Sequence, residues 1–178
     1  MPWSHGDNKW PLKQFLSTFD GVARVVDVGV GWGDIGRAVR EVWPQVELLG
    51  IEVWQPYLER HDCRAAYDYI AVQDLRKVQD VFWAGVDWTL WIDGPEHLTR
   101  EDALVEVARL RRLSRLGLVV GTPLGEAPQG AWEGNEAETH RSTWTEADWE
   151  ALGADVIWTM AGEGACGLWW LPADGGER

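Results

Sequence analysis

The sequence predicts a single α/β domain on a seven-stranded, mostly parallel sheet, with helices on both faces and an antiparallel end strand. Short apolar runs alternate with amphipathic segments along the chain, which is typical of βαβ units. The last two apolar runs are separated only by a glycine-rich turn, as in an antiparallel hairpin. The length of 178 residues suits one domain, which we expect to span residues 24–173.

The segment from Arg24 to Gly36, RVVDVGVGWGDIG, predicts a strand, a glycine-rich turn and the start of a helix. Glycine at positions 29, 31 and 33 permits positive φ and lets a ligand approach the backbone closely. The free N–H groups at the start of the helix then face that ligand. About twenty residues later a second apolar run ends at Glu52, and a carboxylate there suits a ribose diol. The pattern indicates a nucleoside-binding βαβ unit.

Two ligands compete for this unit. Gly31-x-Gly33-x-x-Gly36 fits the dinucleotide pattern, whereas Asp27-x-Gly29-x-Gly31-x-Gly33 resembles motif I of the class I S-adenosylmethionine-dependent methyltransferases. In that family the acid lies near the methionine ammonium, and an acid there would repel a pyrophosphate. The resemblance therefore implies a Rossmann-like fold that binds S-adenosylmethionine through this acid and Gly29, Gly31 and Gly33. A dinucleotide stays as the alternative.

The remaining elements follow from hydrophobic periodicity and caps. Residues 1–23 are expected to form a lid over the ligand or a helix on the sheet edge. Helices are predicted at 34–43, 55–65, 75–83, from a capping box at Thr99 and Asp102, and at 146–152. Strands are predicted from Arg24 and at 46–52, 67–72, 88–92, 116–120, 155–160 and 167–171. The long loop 121–143 is expected to be functional, and residues 174–178 to be disordered.

Ligands of open α/β sheets lie at the carboxyl ends of the strands. The acids predicted there are Asp27, Glu52, Asp74 and Asp93. In the methyltransferase family an acid after the third strand receives the adenine amino group, and the next N–H reaches the ring. Asp74 and Leu75 match those positions, although Asp74 also suits a helix N-cap. Val53 and Trp54, which follow Glu52, are expected beside the cofactor.

A second resemblance concerns the acceptor side. Asp93-x-x-Glu96-His97 and the later stretch His140-Arg141-Ser142-x-Trp144-Thr145 are similar to the small-RNA 3′-terminal 2′-O-methyltransferases. Quinone-precursor O-methyltransferases carry a similar Glu-x-x-Glu-His. The resemblance implies a divalent metal on Asp93, Glu96, His97 and His140, with Mn, Fe or Zn preferred by this mixed set.

This chain departs from that pattern, because the first acid is Asp, Pro95 precedes Glu96, and Leu124 replaces an Asn that follows Thr-Pro in that family. Two other roles for these residues therefore remain open. His97, His140 or Asp93 could contact the substrate or act as a metal-free base. The histidines could also be purely structural.

Composition limits the partners. The net charge of −13 opposes non-specific binding to nucleic acid, although it leaves room for a local basic patch. No apolar run reaches ~18 residues, so no membrane span is expected. The N-terminus lacks a signal pattern, which predicts cytoplasmic residence, and Cys63 and Cys166 are expected to be free thiols. Fourteen tryptophans predict extensive packing, with a few available to line a pocket for a flat substrate.

The function predicted from the sequence is S-adenosylmethionine-dependent methylation of a small molecule at oxygen, by a monomer or homodimer. The substrate is expected to enter between the N-terminal lid and the 121–143 loop. Two alternatives remain: a non-catalytic S-adenosylmethionine-binding partner subunit, and a dinucleotide-binding protein.

Overall fold

A computed structural model describes residues 8–60 and 62–174. The strands are β1 (Arg24–Val28), β2 (Glu47–Glu52), β3 (Tyr69–Val72), β4 (Trp88–Ile92), β5 (Gly117–Pro123), β6 (Asp155–Met160) and β7 (Cys166–Pro172). The helices are α1 (Lys9–Leu16), α2 (Asp34–Val42), α3 (Gln55–Arg60), α4 (Arg100–Leu113) and α5 (Glu146–Ala151). Short 3₁₀ turns connect several of them.

The strands form one seven-stranded sheet in the order β3-β2-β1-β4-β5-β7-β6. The first five strands of that order pair in parallel, and β7 pairs antiparallel with both β5 and β6. The predicted fold class is therefore confirmed. The direction of winding reverses between β1 and β4, and Val25 of β1 pairs with β2 on one side and with β4 on the other. A crevice for a ligand opens at such a switch point, at the carboxyl ends of the strands.

Both faces of the sheet are buried, and alternate residues of each strand serve opposite faces. Val25 packs on one side with Leu12 of α1 and Val39 of α2. Val26 packs on the other side with Val107 of α4 and Trp149 of α5. Because both faces are covered, the parallel strands need no polar alternation, which explains why their sequences read as continuous apolar runs.

Three buried tryptophans join the end of the long loop to the sheet. The rings of Trp144 and Trp149 stack with centroids 4.4 Å apart, and Trp149 lies 5.6 Å from Trp169 of β7. Thr145 and Asp148 form the predicted reciprocal capping box at the start of α5. These contacts hold the segment after the long loop against the sheet.

Some predicted boundaries were wrong. Strand β3 begins at Tyr69 rather than at 67, because Tyr67 turns inward beneath β1. The predicted helix 55–65 ends at Arg60, and a 3₁₀ turn follows at Arg64–Ala66. The predicted helix 75–83 is two 3₁₀ turns, Leu75–Lys77 and Asp80–Trp83, because the chain at 78–79 is extended.

Two further predictions need correction. Strand β5 continues to Pro123, so the long loop starts three residues later than predicted. Thr99 caps α4, but the expected reciprocal bond is absent from the described contacts because the Asp102 carboxylate instead accepts from Arg76.

At the N-terminus, helix α1 packs against α2 and β6 through the buried Leu12 and Leu16. The rest of the expected lid, residues 1–7, lies outside the described residues, as do residues 175–178 of the expected disordered tail. In the described part of the chain, every helix is too short or too polar to span a bilayer.

Candidate active site

A cleft of about 310 Å³ opens at the carboxyl ends of β1, β2 and β4, where the sheet reverses direction. The predicted cofactor residues that line it are Gly29, Gly31, Glu52, Val53, Asp74, Leu75 and Asp93. Asp27, Gly33 and Trp54 are not among the residues lining this cleft, and each has a different position in the structure.

The geometry of the glycine turn explains why Gly29 lines the cleft and Gly33 does not. Gly29, Gly31 and Gly33 have φ values of 83°, 50° and 80°, which L side chains rarely adopt. A Cβ at Gly29 would meet no described atom within 4 Å, so that position opens onto free space. A Cβ at Gly33 would lie 2.7 Å from Cβ of Cys63. Gly29 therefore keeps the cleft open, whereas Gly33 lets the segment after α3 pack against the turn.

Glu52 closes the floor of the cleft. Its Oε2 atom accepts from the Gly31 N–H at 2.8 Å and its Oε1 atom from the Trp54 N–H at 2.7 Å. Trp54 thus contributes its backbone to the site. The side chain of Glu52 is buried, and burial raises the pKa of this carboxyl to about 7. Glu52 lines the cleft, and because each carboxyl oxygen can accept more than one hydrogen bond, this group can also accept from a ligand there.

Asp27 lies beneath the glycine turn rather than in the cleft. The hydroxyl of Tyr67 donates to Oδ2 of Asp27 and accepts from the Gly36 N–H at 3.1 Å. Oδ1 of Asp27 has no hydrogen-bond partner among the described residues. Burial raises the pKa of Asp27 to about 7, and the Tyr67 bond opposes that rise. Tyr67 therefore joins the strand end to the first turn of α2.

The raised pKa values predict how stability depends on pH. An acid whose pKa is higher in the folded protein than its unfolded value of about 4 stabilises the fold at low pH. That stabilisation is lost as pH rises through the folded pKa, which is about 7 for Asp27 and for Glu52. Asp27→Asn should remove one of these contributions.

The melting temperature of the ligand-free protein should therefore fall less between pH 5 and pH 8 in Asp27→Asn than in the parent. Asp74→Asn is the matched control. The pKa of Asp74 is lowered by its Arg76 partner, so its contribution does not change in that pH window. Equal pH dependence in the parent and Asp27→Asn would contradict the assignment.

Asp74 and Leu75 line the far side of the cleft, where β3 ends. The Asp74 carboxylate caps the 3₁₀ turn by accepting from the Arg76 N–H at 3.0 Å, and it pairs with the Arg76 guanidinium at 2.7 Å. The capping role is therefore present. Both residues also face the cleft, so an adenine contact remains a prediction.

Asp93 lies between this cleft and a second cavity of about 490 Å³, and it lines both, as does His97. Its backbone has φ of 51°, an unusual conformation outside glycine, while its N–H donates to the Gly121 carbonyl at 2.9 Å. Strained residues of this kind cluster at functional sites. The strain turns the chain sharply at the end of β4, so that Glu96 and His97 follow at the second cavity.

Glu96, His97 and His140 form a cluster on the wall of the second cavity. One potential ligand atom from each lies within 4.8 Å of the others, and the two imidazole rings are 4.9 Å apart. Oε2 of Glu96 and Nδ1 of His97 are buried without a hydrogen-bond partner in the described chain. Asp93, the fourth expected metal ligand, is not part of this cluster.

Backbone hydrogen bonds bring His140 to the cluster from the long loop. The Glu96 carbonyl accepts from the N–H groups of Arg141 and Ser142, at 2.7 and 3.1 Å. The His140 N–H donates to Gln129, and its Nδ1 bonds to the Ala127 carbonyl. If Nδ1 carries that proton, the lone pair of Nε2 is available to a ligand or metal.

Burial controls the charge of the cluster. It raises the pKa of Glu96 well above its usual value and lowers the pKa of His97 to about 4. The pKa of His140 is also lowered by burial. Both histidines are therefore neutral near pH 7, and neutral imidazole is the form that binds a metal or accepts a proton.

Sequence patterns alone missed the cover of the cofactor cleft. Residues 135–138 of the long loop line the cleft together with the glycine turn. Tyr57 of α3 holds them there, because its hydroxyl donates to Glu138 at 3.1 Å and accepts from Asn135 at 3.3 Å. The length and polarity of the loop indicated function, but nothing local to Tyr57 pointed to this contact.

Comparison with solved structures identifies the fold that carries this site. The N-terminal domain of EvdMO1 with SAH (S-adenosylhomocysteine) bound matches with a TM-score of 0.71 at 15% identity, over 96% of this chain and 83% of that one. The fold is that of class I methyltransferases. SAH-bound magnesium protoporphyrin IX methyltransferase (ChlM) from Synechocystis PCC 6803 matches with a TM-score of 0.66 at 13% identity, over 94% and 83%.

The mitomycin 7-O-methyltransferase MmcR matches with a TM-score of 0.60 at 19% identity, over 94% of this chain and 54% of that one. No protein-family model matches the sequence, and no curated protein resembles it in sequence. The likeness to these structures is therefore one of fold, and function must be argued from the site.

Proposed function

We propose that this protein is an S-adenosylmethionine-dependent methyltransferase that methylates a hydroxyl of a small molecule. The observation that carries the proposal is the pair of cavities that share Asp93 and His97. The first has the glycine turn and the buried Glu52, which suit a nucleoside. The second has the Glu96, His97 and His140 cluster, which suits an acceptor hydroxyl. The SAH-bound neighbours of the same fold support the choice of cofactor.

The arrangement suits an in-line transfer. The acceptor oxygen attacks the methyl carbon, the bond from that carbon to sulfur breaks with its electron pair remaining on sulfur, and the neutral thioether leaves. Holding the two reactants in adjacent cavities supplies most of the rate enhancement, because it removes the entropy cost of bringing them together. The hydroxyl proton must also be removed, and the cluster on the wall of the second cavity supplies acceptor atoms for it.

Two chemistries fit the cluster. A neutral histidine could take the proton directly. Alternatively, Glu96, His97 and His140 would hold a divalent metal, which would lower the pKa of the bound hydroxyl. The unpartnered Glu96 oxygen and the Ala127 bond that orients His140 fit a metal ligand set, and Mn, Fe or Zn suit its mixed donors.

Calorimetric titration tests the cofactor. The protein should bind S-adenosylhomocysteine and not NAD. Glu52→Ala should weaken that binding by about 1–3 kcal/mol, because buried ribose hydroxyls lose a charged acceptor. The exposed Glu59 on the neighbouring helix supplies the control Glu59→Ala, which should bind normally. Preference for NAD, or unchanged affinity in Glu52→Ala, would contradict the assignment of the cleft.

Metal analysis separates the two chemistries. If the cluster holds a metal, the protein loaded with Mn²⁺ or Zn²⁺ should retain about one ion after desalting, because residues 8–60 and 62–174 contain one such ligand cluster. His140→Ala should lower that affinity by about 10–100-fold. A dipicolinate wash should then remove activity in the parent, and the metal should restore it. Full activity after the wash leaves the metal-free base as the mechanism.

A further inference from the structure

The second cavity has two exposed carboxylates, Glu126 and Glu163, among its described lining residues. Asp93, Glu96, Glu126 and Glu163 all face it, and within the described chain it has no lysine or arginine among its lining residues. A pocket of this charge repels phosphates and carboxylates and attracts cations. The charge of the second cavity therefore indicates which charge the acceptor should carry, whereas the lining of the cofactor cleft does not.

The two outer acids come from different segments. Glu126 lies in the long loop after β5, and Glu163 lies in the turn between β6 and β7. Both are exposed, and neither side chain forms a hydrogen bond or ion pair with a described residue. These carboxylates are available to a ligand at the mouth of the cavity.

The inner wall independently indicates a ligand. Glu96 lines the cavity and is 3% exposed, and its buried Oε2 atom has no hydrogen-bond partner in the described chain. An unsatisfied carboxylate at that depth is costly unless a ligand or ion completes it. The cavity therefore has a polar inner end at Glu96, which a ligand could complete, and a separate acidic mouth at Glu126 and Glu163.

A metal at the cluster would not neutralise the mouth. A divalent ion on Glu96, His97 and His140 would be offset by Glu96 and the adjacent Asp93. Glu126 and Glu163 are not part of that cluster and would keep their charge. The preference for a cation at the mouth is the same under either chemistry.

The walls between the two ends are aliphatic. Pro123, Leu124, Ala127 and Ala165 line them, and no tryptophan, tyrosine or phenylalanine in the described chain does so. The described residues of this cavity therefore do not form a tryptophan-lined pocket, which was one option raised by the composition. The lining suits a compact saturated ring or chain.

We propose, on the basis of the methyltransferase function above, that the acceptor is a compact aliphatic amino alcohol. Its protonated amine faces Glu126 and Glu163 at the mouth, and its hydroxyl faces Glu96 and His97 at the inner end. Phosphorylated and carboxylated acceptors, including nucleic acid, are disfavoured by the same charge.

Three probes on one scaffold test the charge preference: trans-4-aminocyclohexanol, trans-cyclohexane-1,4-diol and trans-4-hydroxycyclohexanecarboxylate. Each is titrated into the ¹⁵N-labelled protein saturated with S-adenosylhomocysteine, and the amide signals of Ala127 and Ala165 are followed. The amine should shift both signals and bind about five- to tenfold more tightly than the diol, since each exposed ion pair contributes modestly. The carboxylate should bind more weakly than the diol.

The double variant Glu126→Gln/Glu163→Gln should bring the amine to the affinity of the diol. Glu150→Gln changes an exposed acid on α5 and should leave the preference intact. The proposal is overturned if the amine shifts neither signal, or if the diol or carboxylate binds as tightly. Failure of S-adenosylhomocysteine to bind would instead defeat the proposed function, and the two results are read from separate titrations.

Discussion

Glu96→Gln is expected to lower the rate of methyl transfer by about 10²–10⁴-fold while leaving the affinity for S-adenosylhomocysteine unchanged. Glutamine has the same size and keeps the Glu96 carbonyl that anchors Arg141 and Ser142. It replaces one carboxylate oxygen with an amide nitrogen that neither ligates a metal nor accepts a proton. The loss is therefore expected if Glu96 ligates a metal or itself accepts the proton, whereas a histidine that acts alone as the base would leave activity intact.

The thermal stability of this variant should stay the same or rise. Burial raises the pKa of Glu96 well above its usual value because ionising this group in the interior costs free energy, and a neutral amide of the same shape avoids that cost. If the role of Glu96 were purely structural, the variant should instead lose thermal stability and keep its activity. The measurement is kcat together with the melting temperature.

Glu106→Gln is the matched control, because Glu106 is also buried but pairs with Arg109 on α4, away from both cavities. It should lose stability and keep activity at a temperature where it is folded. Full activity of Glu96→Gln would remove the carboxylate from the reaction and leave His97 and His140 as the remaining candidates.

Local signals explain why much of the fold was predictable. The glycine turn, the apolar strands and the acids Glu52, Asp74 and Asp93 are each encoded within a few residues. Because the carboxyl ends of parallel strands meet at one edge, the order of strands alone brought these acids to one cleft. The convergence of these acids therefore does not depend on how the side chains pack.

Features that depend on distant packing were not predictable in this way. Asp27 belongs to the glycine motif, yet Tyr67, forty residues later, holds its carboxylate beneath the turn. Tyr57 holds the loop cover over the cleft through Glu138, again across a long separation in sequence. The apolar spacing over 75–83 predicts one helix instead of the two 3₁₀ turns, because so few residues do not distinguish the two.

Gly29→Val is expected to abolish cofactor binding, with an affinity loss of at least about 100-fold, while the domain stays folded. Gly29 lines the cleft with φ of 83°, and a Cβ there points into open space rather than into a described neighbour. A branched side chain would thus occupy the volume of the ligand. The positive φ adds strain of at least about 1–2 kcal/mol, which lowers stability without blocking the site.

Gly21→Val separates these two effects. Gly21 has φ of 69° and the same open surroundings, but it precedes β1 and lies outside the lining of the cleft. It should show a similar fall in melting temperature and bind S-adenosylhomocysteine as the parent does. Calorimetry on both variants at a temperature below the two transitions gives the comparison. If Gly29→Val binds normally, or if Gly21→Val loses binding equally, the ligand does not sit against the glycine turn.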